Sequence, residues 1–379
     1  MAPSSNLFNA EEILAGICEW VKLESPTFEP EKVNRMMDEA EGAMRALGAS
    51  IDRIPGSDGY ADVVKATLPF GDDPDTPGIL VLGHLDTVHP SGTIDGPLKL
   101  RREGDKVYGP GIFDMKGGMY LACYALRQVL NSGQKPNLPV TFLFISDEEV
   151  GSPSTRALIE AEAKRNRYVL VPEPSRHGNV VTGRHAFLRY TLRMHGKPAH
   201  AGADNKTGRS AIRAMARLVD RLEGLSDFGR GITYSVGVIR GGQWVNVIPI
   251  ECMAEVLCVA PTEEAFAEVR QVMASLTPED PEVRLVVEPG PVRPLFRASE
   301  ATMALYEQAR RLSEQAGIEL PHGQFGGGSD GNFTGALGIA TLDGLGVMGG
   351  GPHTHGEHLL VSSLEPRARL LAGLFESLS

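Results

Sequence analysis

The sequence predicts an α/β protein: a mostly parallel central sheet flanked by helices, with a second, ferredoxin-like βαββαβ domain inserted into it. Three observations carry this. Through about residue 175, short apolar runs alternate with stretches whose apolar side chains recur at helical spacing, the pattern of strands joined by crossover helices. From about 183 to 292 the order becomes strand, helix, strand, strand, helix, strand, and the first pattern then resumes. At 379 residues, 42% of them hydrophobic, the chain also exceeds what one core usually organises.

Taken in order, residues 11–23 and 31–47 show helical spacing, and the second stretch closes at Gly48. Ala61–Leu68 reads as a strand, followed by a Gly/Asp/Pro loop at 71–78. Gly78–Gly83 (GILVLG) and Val140–Ser146 (VTFLFIS) are continuous apolar runs, as expected of strands buried on both faces, and Tyr168–Val171 is a shorter one. Gly117–Leu130 fits a helix between them. The inserted segment reads as strand Phe187–His195, helix Arg209–Leu222, strands Ile232–Ile239 and Glu251–Val259, helix Thr262–Leu276 and strand Val283–Val287. EPGPVRP at 288–294 is expected to be the hinge back, because clustered Gly and Pro punctuate elements. A helix (Glu300–Gln315), a Gly-rich turn, a strand (Gly338–Leu342), a second Gly-rich loop and a helix from about Ser363 complete the chain. The expected division is therefore 1–182 with 293–379 as one domain and 183–292 as the other.

Composition excludes some functions. A net charge of −11 argues against nucleic acid, whose phosphates need clustered Lys and Arg. No basic-then-apolar leader opens the chain and no run approaches the ~18 apolar residues of a membrane span, so neither export nor a membrane partner is expected. Four scattered cysteines read as small core residues in a reducing compartment, which points to the cytoplasm.

Chemistry-bearing residues stand where strands end. GILVLG leads into His84-Leu85-Asp86, VTFLFIS into Asp147-Glu148-Glu149, and YVLV into Pro172-Glu173-Pro174. In parallel sheets ligands bind beyond the carboxyl ends of strands, so one rim is expected to collect all three groups. Asp114, in YGPGIFDMKGG, follows a Gly-rich loop and opens a helix; His353, in GGGPHTHGEHL, follows the last strand. Two imidazoles and three carboxylates are too many for one tetrahedral zinc but suit two ions sharing a bridge. Asp114 is the natural bridge, with His84 and Glu173 on one ion and Glu149 and His353 on the other. Glu148 is then left as general base, and Asp86 can accept from the second ring nitrogen of His84 and fix its tautomer. Plainer readings stay open on the residues alone. The acidic triplet could be a helix's first turn and Glu173 a surface turn, while His353, His355 and His358 could form a site of their own or decorate a solvated loop.

The strings GHLDTV, YGPGIFDMKGG, SDEEVGS, VPEPS, GKPAHAG, NVIP, GGGSDGNF and GPHTHGEH, in that order, resemble one zinc-dependent metallopeptidase and deacylase family. It includes glutamate carboxypeptidase (carboxypeptidase G), acetylornithine deacetylase and succinyl-diaminopimelate desuccinylase. The resemblance covers nearly the whole chain, and GHLDTV combined with DEE is its most specific part. It implies a two-zinc hydrolase, with Co2+ or Mn2+ as alternative metals, acting on an amide or dipeptide of small size. The implied metal ligands are His84, Asp114, Glu149, Glu173 and His353, with Glu148 as general base and Asp86 beside the first histidine. His353 fits rather than His355 because the family's histidine precedes a glutamate by four residues, here Glu357. His200 and Asn246 match polar substrate contacts from the inserted lid and dimerisation domain, His200 reaching across a homodimer interface. Gly328 and Ser329, in the Gly-rich GGGSDGNF, are expected against the substrate. The family also often has a non-proline cis peptide after the bridging aspartate, here Asp114–Met115.

One departure bears on specificity. Where relatives usually carry D-x-R after NVIP, simple register gives Leu257-Cys258-Val259, and valine cannot grip a carboxylate. Arg184, Arg189 and Arg240 are the candidate replacements. The residues do not separate a peptidase from an N-acyl-amino-acid deacetylase. A non-catalytic binding protein on the same scaffold would require a lost ligand or base, and all six positions are filled.

Overall fold

The computed structural model describes residues 7–71, 73 and 76–379. The chain forms two compact units. One takes in the chain up to Gly183, Phe296–Phe325 and Ser329–Ser379; the other holds Arg184–Leu295 and Gly326–Gly328.

The first unit is organised by a six-stranded sheet in the order Ser50–Ile54, Val63–Leu68, Val140–Ile145, Gly78–His84, Asn166–Leu170, Ala340–Leu342. Its last four strands run parallel, and the first two are antiparallel additions at one edge. Side chains of a strand alternate between faces. Thus Ile79, Val81, Phe142 and Phe144 pack into one apolar cluster, while Leu80, Leu82, Leu143 and Ile145 pack into another. Helices Ala10–Lys22, Pro30–Ala46, Lys116–Asn131, Glu300–Gln315 and Leu364–Ser377 supply the first cluster; Arg156–Ala163 and Phe333 supply the second. Burial on both faces is why these strands carry no polar alternation.

The second unit has a four-stranded antiparallel sheet in the order Thr233–Gly241, Glu251–Ala260, Ala186–His195, Arg284–Arg293. Helices Ala211–Glu223 and Glu263–Ala274 cover one face, with Met215, Leu218, Val269 and Met273 against Leu188, Leu192, Ala254 and Val256. Both helices begin a residue or two after the expected start. Ser210 and Thr262 are N-caps, each accepting a backbone N–H three residues on (3.1 Å in both).

The expected hinge at 288–294 is instead strand: Arg284–Arg293 stays paired with Ala186–His195 to its last residue, with a register shift between Pro289 and Val292. Its two prolines are tolerated because the strand lies at the sheet's edge and bulges there. The sequence reading also passed over Ser50–Ile54 and a small sheet in the order Gly349–Gly350, His358–Leu360, Lys106–Tyr108, Arg101–Glu103. These strands are too short or too charged for a period-two pattern. The small sheet sets loop 351–357 beside the loop that follows Tyr108.

Candidate metal centre

Parallel pairing aligns the strand ends. His84, the last residue of its strand, stands level with Ile145, so the turn Glu148–Val150 begins just beyond the same rim. Asn166–Leu170 pairs on the other side and delivers Glu173. Helix Lys116–Asn131 comes close enough to this connection that a Cβ on Gly118 would lie 1.8 Å from the Pro172 carbonyl oxygen. Only glycine permits that approach, which brings Asp114, just ahead of the helix, toward Glu173.

The result is a compact cluster. His84 Nε2 lies 3.4 Å from Asp114 Oδ1 and 3.9 Å from both Glu148 Oε2 and Glu173 Oε1. His353 Nε2 lies 3.3 Å from Asp114 Oδ2 and 3.1 Å from Glu149 Oε2. Asp114 therefore turns one oxygen to each imidazole. Ligand atoms of His84, Asp114 and Glu149 all fall within 4.8 Å of one another, as a cation would require. The Asp114–Met115 peptide is cis. His353 adopts φ of 61°, a left-handed conformation rare outside glycine, and keeps its half-exposed ring over Asp114 and Glu149.

His84 shows what the cluster is built for. Its Nδ1 lies 2.9 Å from the Asp86 carbonyl oxygen, which puts the ring proton on that nitrogen. The buried Nε2 makes no close hydrogen bond and faces the carboxylates, with Asp114 Oδ1 nearest at 3.4 Å. A buried imidazole nitrogen facing the carboxylates of Asp114, Glu148 and Glu173 is an arrangement that could hold a metal ion.

The charges agree. Burial would raise the Asp114 carboxyl, but bonds to His353 and His84 outweigh it and hold the group well below the usual carboxylate range. Burial pushes Glu149 up to about 8, aided by the charges of Asp114 and Glu148. His353 is drawn up to about 11 by its bonds to Asp114 and Glu149. A proton is thus retained where negative groups crowd together, the place a metal cation would take.

Asp86 is placed differently from expectation. The His84 ring proton goes to its carbonyl oxygen, with the nearer carboxylate oxygen at 3.4 Å. That carboxylate instead accepts the backbone N–H groups of Glu148 (3.2 Å) and Glu149 (3.3 Å) and the Thr27 hydroxyl (2.8 Å). Asp86 therefore braces the acidic turn as well as the histidine. Asp147, the third acid of the triplet, is buried on Ser154 and Thr155 and pins that turn from the other side.

The remaining expected residues are not in this cluster. His200 and Asn246 belong to the second unit, side by side: Ala201 N–H donates to the Asn246 carbonyl (2.9 Å), and His200 bridges to Val247. His200 Nδ1 accepts from Gly202 and Ala203 N–H, leaving Nε2 as the protonated, donating nitrogen. Gly328 also lies in the second unit, against Arg293. Ser329 is buried, its hydroxyl spent on Asp343 (2.6 Å), so it holds its loop rather than facing outward. Val259 pairs with Thr233 and Phe187, and Phe187 with Arg293, so the row that lacks an arginine at Val259 ends in one. Arg184 is buried, with Nη1 on the Gly327 carbonyl (2.8 Å). Thr27 and Arg293 were missed from sequence, because a lone polar contact leaves no spacing to read.

Known proteins share this fold. The fold superposes on a tripeptidase from Staphylococcus aureus with a TM-score of 0.76, covering 98% of this chain and 99% of that one at 20% identity. In sequence, carboxypeptidase G2 from Pseudomonas sp. (strain RS-16) is 29% identical over 79% of this chain and 74% of its own length. Acetylornithine deacetylase from Myxococcus xanthus is 30% identical over 63% of this chain and 64% of its own length. Fold and sequence relatives together define a hydrolase of amide bonds. The profile of peptidase family M20/M25/M40 matches residues 80–377, and the chain belongs to that family.

Proposed function

We propose that the chain hydrolyses the amide bond of a small peptide or N-acyl amino acid with a pair of divalent cations, zinc foremost. The observation that carries this is Asp114, whose two oxygens face different imidazoles, each with its own glutamate. His84 and Glu173 would hold one ion, Glu149 and His353 the other, with Asp114 between them. When bound, the pair supplies Lewis acidity toward the scissile carbonyl and acidifies water.

The chain's own groups do the rest. Glu148 lies beside the ligands with its carboxylate turned toward His84, placed to take a proton from water and pass it to the leaving nitrogen. His200, with Nε2 as donor, would stabilise the developing oxyanion. For that role we infer a homodimer through the second unit, in which the partner lends its His200. Ile239 on the edge strand Thr233–Gly241, with Trp244 (71% exposed), Val245 and Ile250 in the segment that follows it, is the apolar surface supporting it. All four cysteines are free, in keeping with a cytoplasmic setting.

With valine at position 259, the recognition end of the substrate should be neutral or held by another arginine, with poor activity on C-terminal glutamate, and an N-acyl-amino-acid deacylase is the second reading. Hydrolysis of a panel of dipeptides, N-acyl amino acids and C-terminal glutamyl amides, with zinc supplied and metal content measured, tests both readings. Efficient glutamate release would refute the specificity, and a metal-free active enzyme the mechanism.

A further inference from the structure

Glu357 stands four residues after His353, directly ahead of strand His358–Leu360, and its carboxylate is 1% exposed. All its contacts lie in the first unit. Oε1 accepts the backbone N–H groups of Phe113 (2.9 Å) and Asp114 (3.1 Å). Oε2 accepts from Gly111 N–H (3.2 Å) and pairs with His89 Nε2 (2.6 Å). Its carbonyl takes Gly109 N–H at 3.4 Å. Across the same small sheet His358 pairs with Tyr108, just ahead of Gly109. One side chain thus gathers the whole 109–114 loop onto the segment that carries His353.

An ionised carboxylate offers about four acceptor positions, and charge-assisted bonds of this kind are roughly twice as strong as neutral ones. Three amide donors and an imidazole use that capacity. Asp114 is thereby fixed through its own backbone nitrogen, and the His353 loop is fixed relative to it by the same residue. A buried anion this fully satisfied costs far more to loosen than a surface contact.

We propose that Glu357 is a positioning residue that sets the spacing between Asp114 and His353, and so governs retention of the cation lying between them. This rests on the two-cation reading above. It touches neither substrate nor ligand side chains directly; its effect runs through the backbone of Asp114 and the anchoring of loop 351–357. The prediction is a selective one: one ion loosens and the other stays.

The test is zinc titration of Glu357→Gln against a chromophoric chelator, with the visible spectrum of the cobalt-substituted protein and melting of the metal-free form alongside. The amide nitrogen can serve His89 but must face Gly111 N–H or abandon it. We expect one ion held as in the wild type and the other weakened by about 10–100-fold. The cobalt spectrum should change for that ion alone, and activity should return at saturating metal. Unchanged affinity for both ions, or equal loss of both with a collapse in melting temperature, would overturn the assignment. If the variant does not fold, His89→Gln decides: a smaller loss of the same ion supports the proposal and no loss refutes it. A wild-type protein that binds fewer than two ions would instead sink the two-cation reading, and the proposal with it.

Discussion

Glu148 and Asp86 are joined by one hydrogen bond yet should fail in different ways when replaced. Glu148→Gln keeps shape and removes only the proton acceptor, so kcat should fall by roughly 10²–10⁴ with metal content intact. Steady-state kinetics beside elemental analysis checks this, and full activity would take Glu148 out of the mechanism. Asp86→Ala removes the acceptor for two backbone N–H groups of the acidic turn and for the Thr27 hydroxyl. Its loss should show as metal affinity lowered about 10–100-fold, read by competition with a chelator. Unchanged affinity would mean that the turn holds its glutamates unaided.

At the scale of elements, the contact of helix Lys116–Asn131 with the Pro172 carbonyl is the joint on which Glu173 depends. Gly118→Ala forces a methyl into a 1.8 Å gap to backbone, which cannot turn aside as a side chain would. Overpacking of this sort costs about 1–3 kcal/mol, and here it should also displace Glu173, a proposed ligand. Thermal melting with and without zinc should show the variant losing both stability and metal response; wild-type behaviour would mean the helix shifts freely. The same scale explains what could be read from sequence. Gly78–His84 and Val140–Ile145 are sandwiched between two apolar clusters, so each is an unbroken apolar run whose end is plain, and His84 and the acidic turn fall at those ends. The strands Arg101–Glu103, Lys106–Tyr108 and His358–Leu360 have no such face, and Arg284–Arg293 hides its prolines at a sheet edge. Glu357 and His89 are 268 positions apart, and one polar pair at that distance leaves no periodicity. The strand ends that carry His84 and the acidic turn were therefore legible, and the groups that brace them were not.

For the whole molecule, the proposed ligands come from five separate segments, so metal binding and folding should form one equilibrium. Chelation should lower the melting temperature. A site with free metal about a thousandfold above its dissociation constant contributes about 4 kcal/mol to stability. Calorimetry with and without chelator measures this, and coincident transitions would argue that the cluster is rigid without ions. A dimer that shares His200 has a sharper test. His200→Ala and Glu148→Gln should each be nearly inactive alone but regain activity on mixing, because one site of a mixed dimer would be intact; no recovery in a proven mixed dimer would refute the trans role. The order of the ligands along the chain has a further consequence. His84, Asp114, Glu149 and Glu173 all precede the second unit, whereas His353 follows it. On the ribosome, where N-terminal parts form first, the four earlier proposed ligands would be in place well before residue 353 was made. On the two-cation reading the second ion would have to wait for residue 353, so a product cut short before it should bind half the metal and fail to turn over.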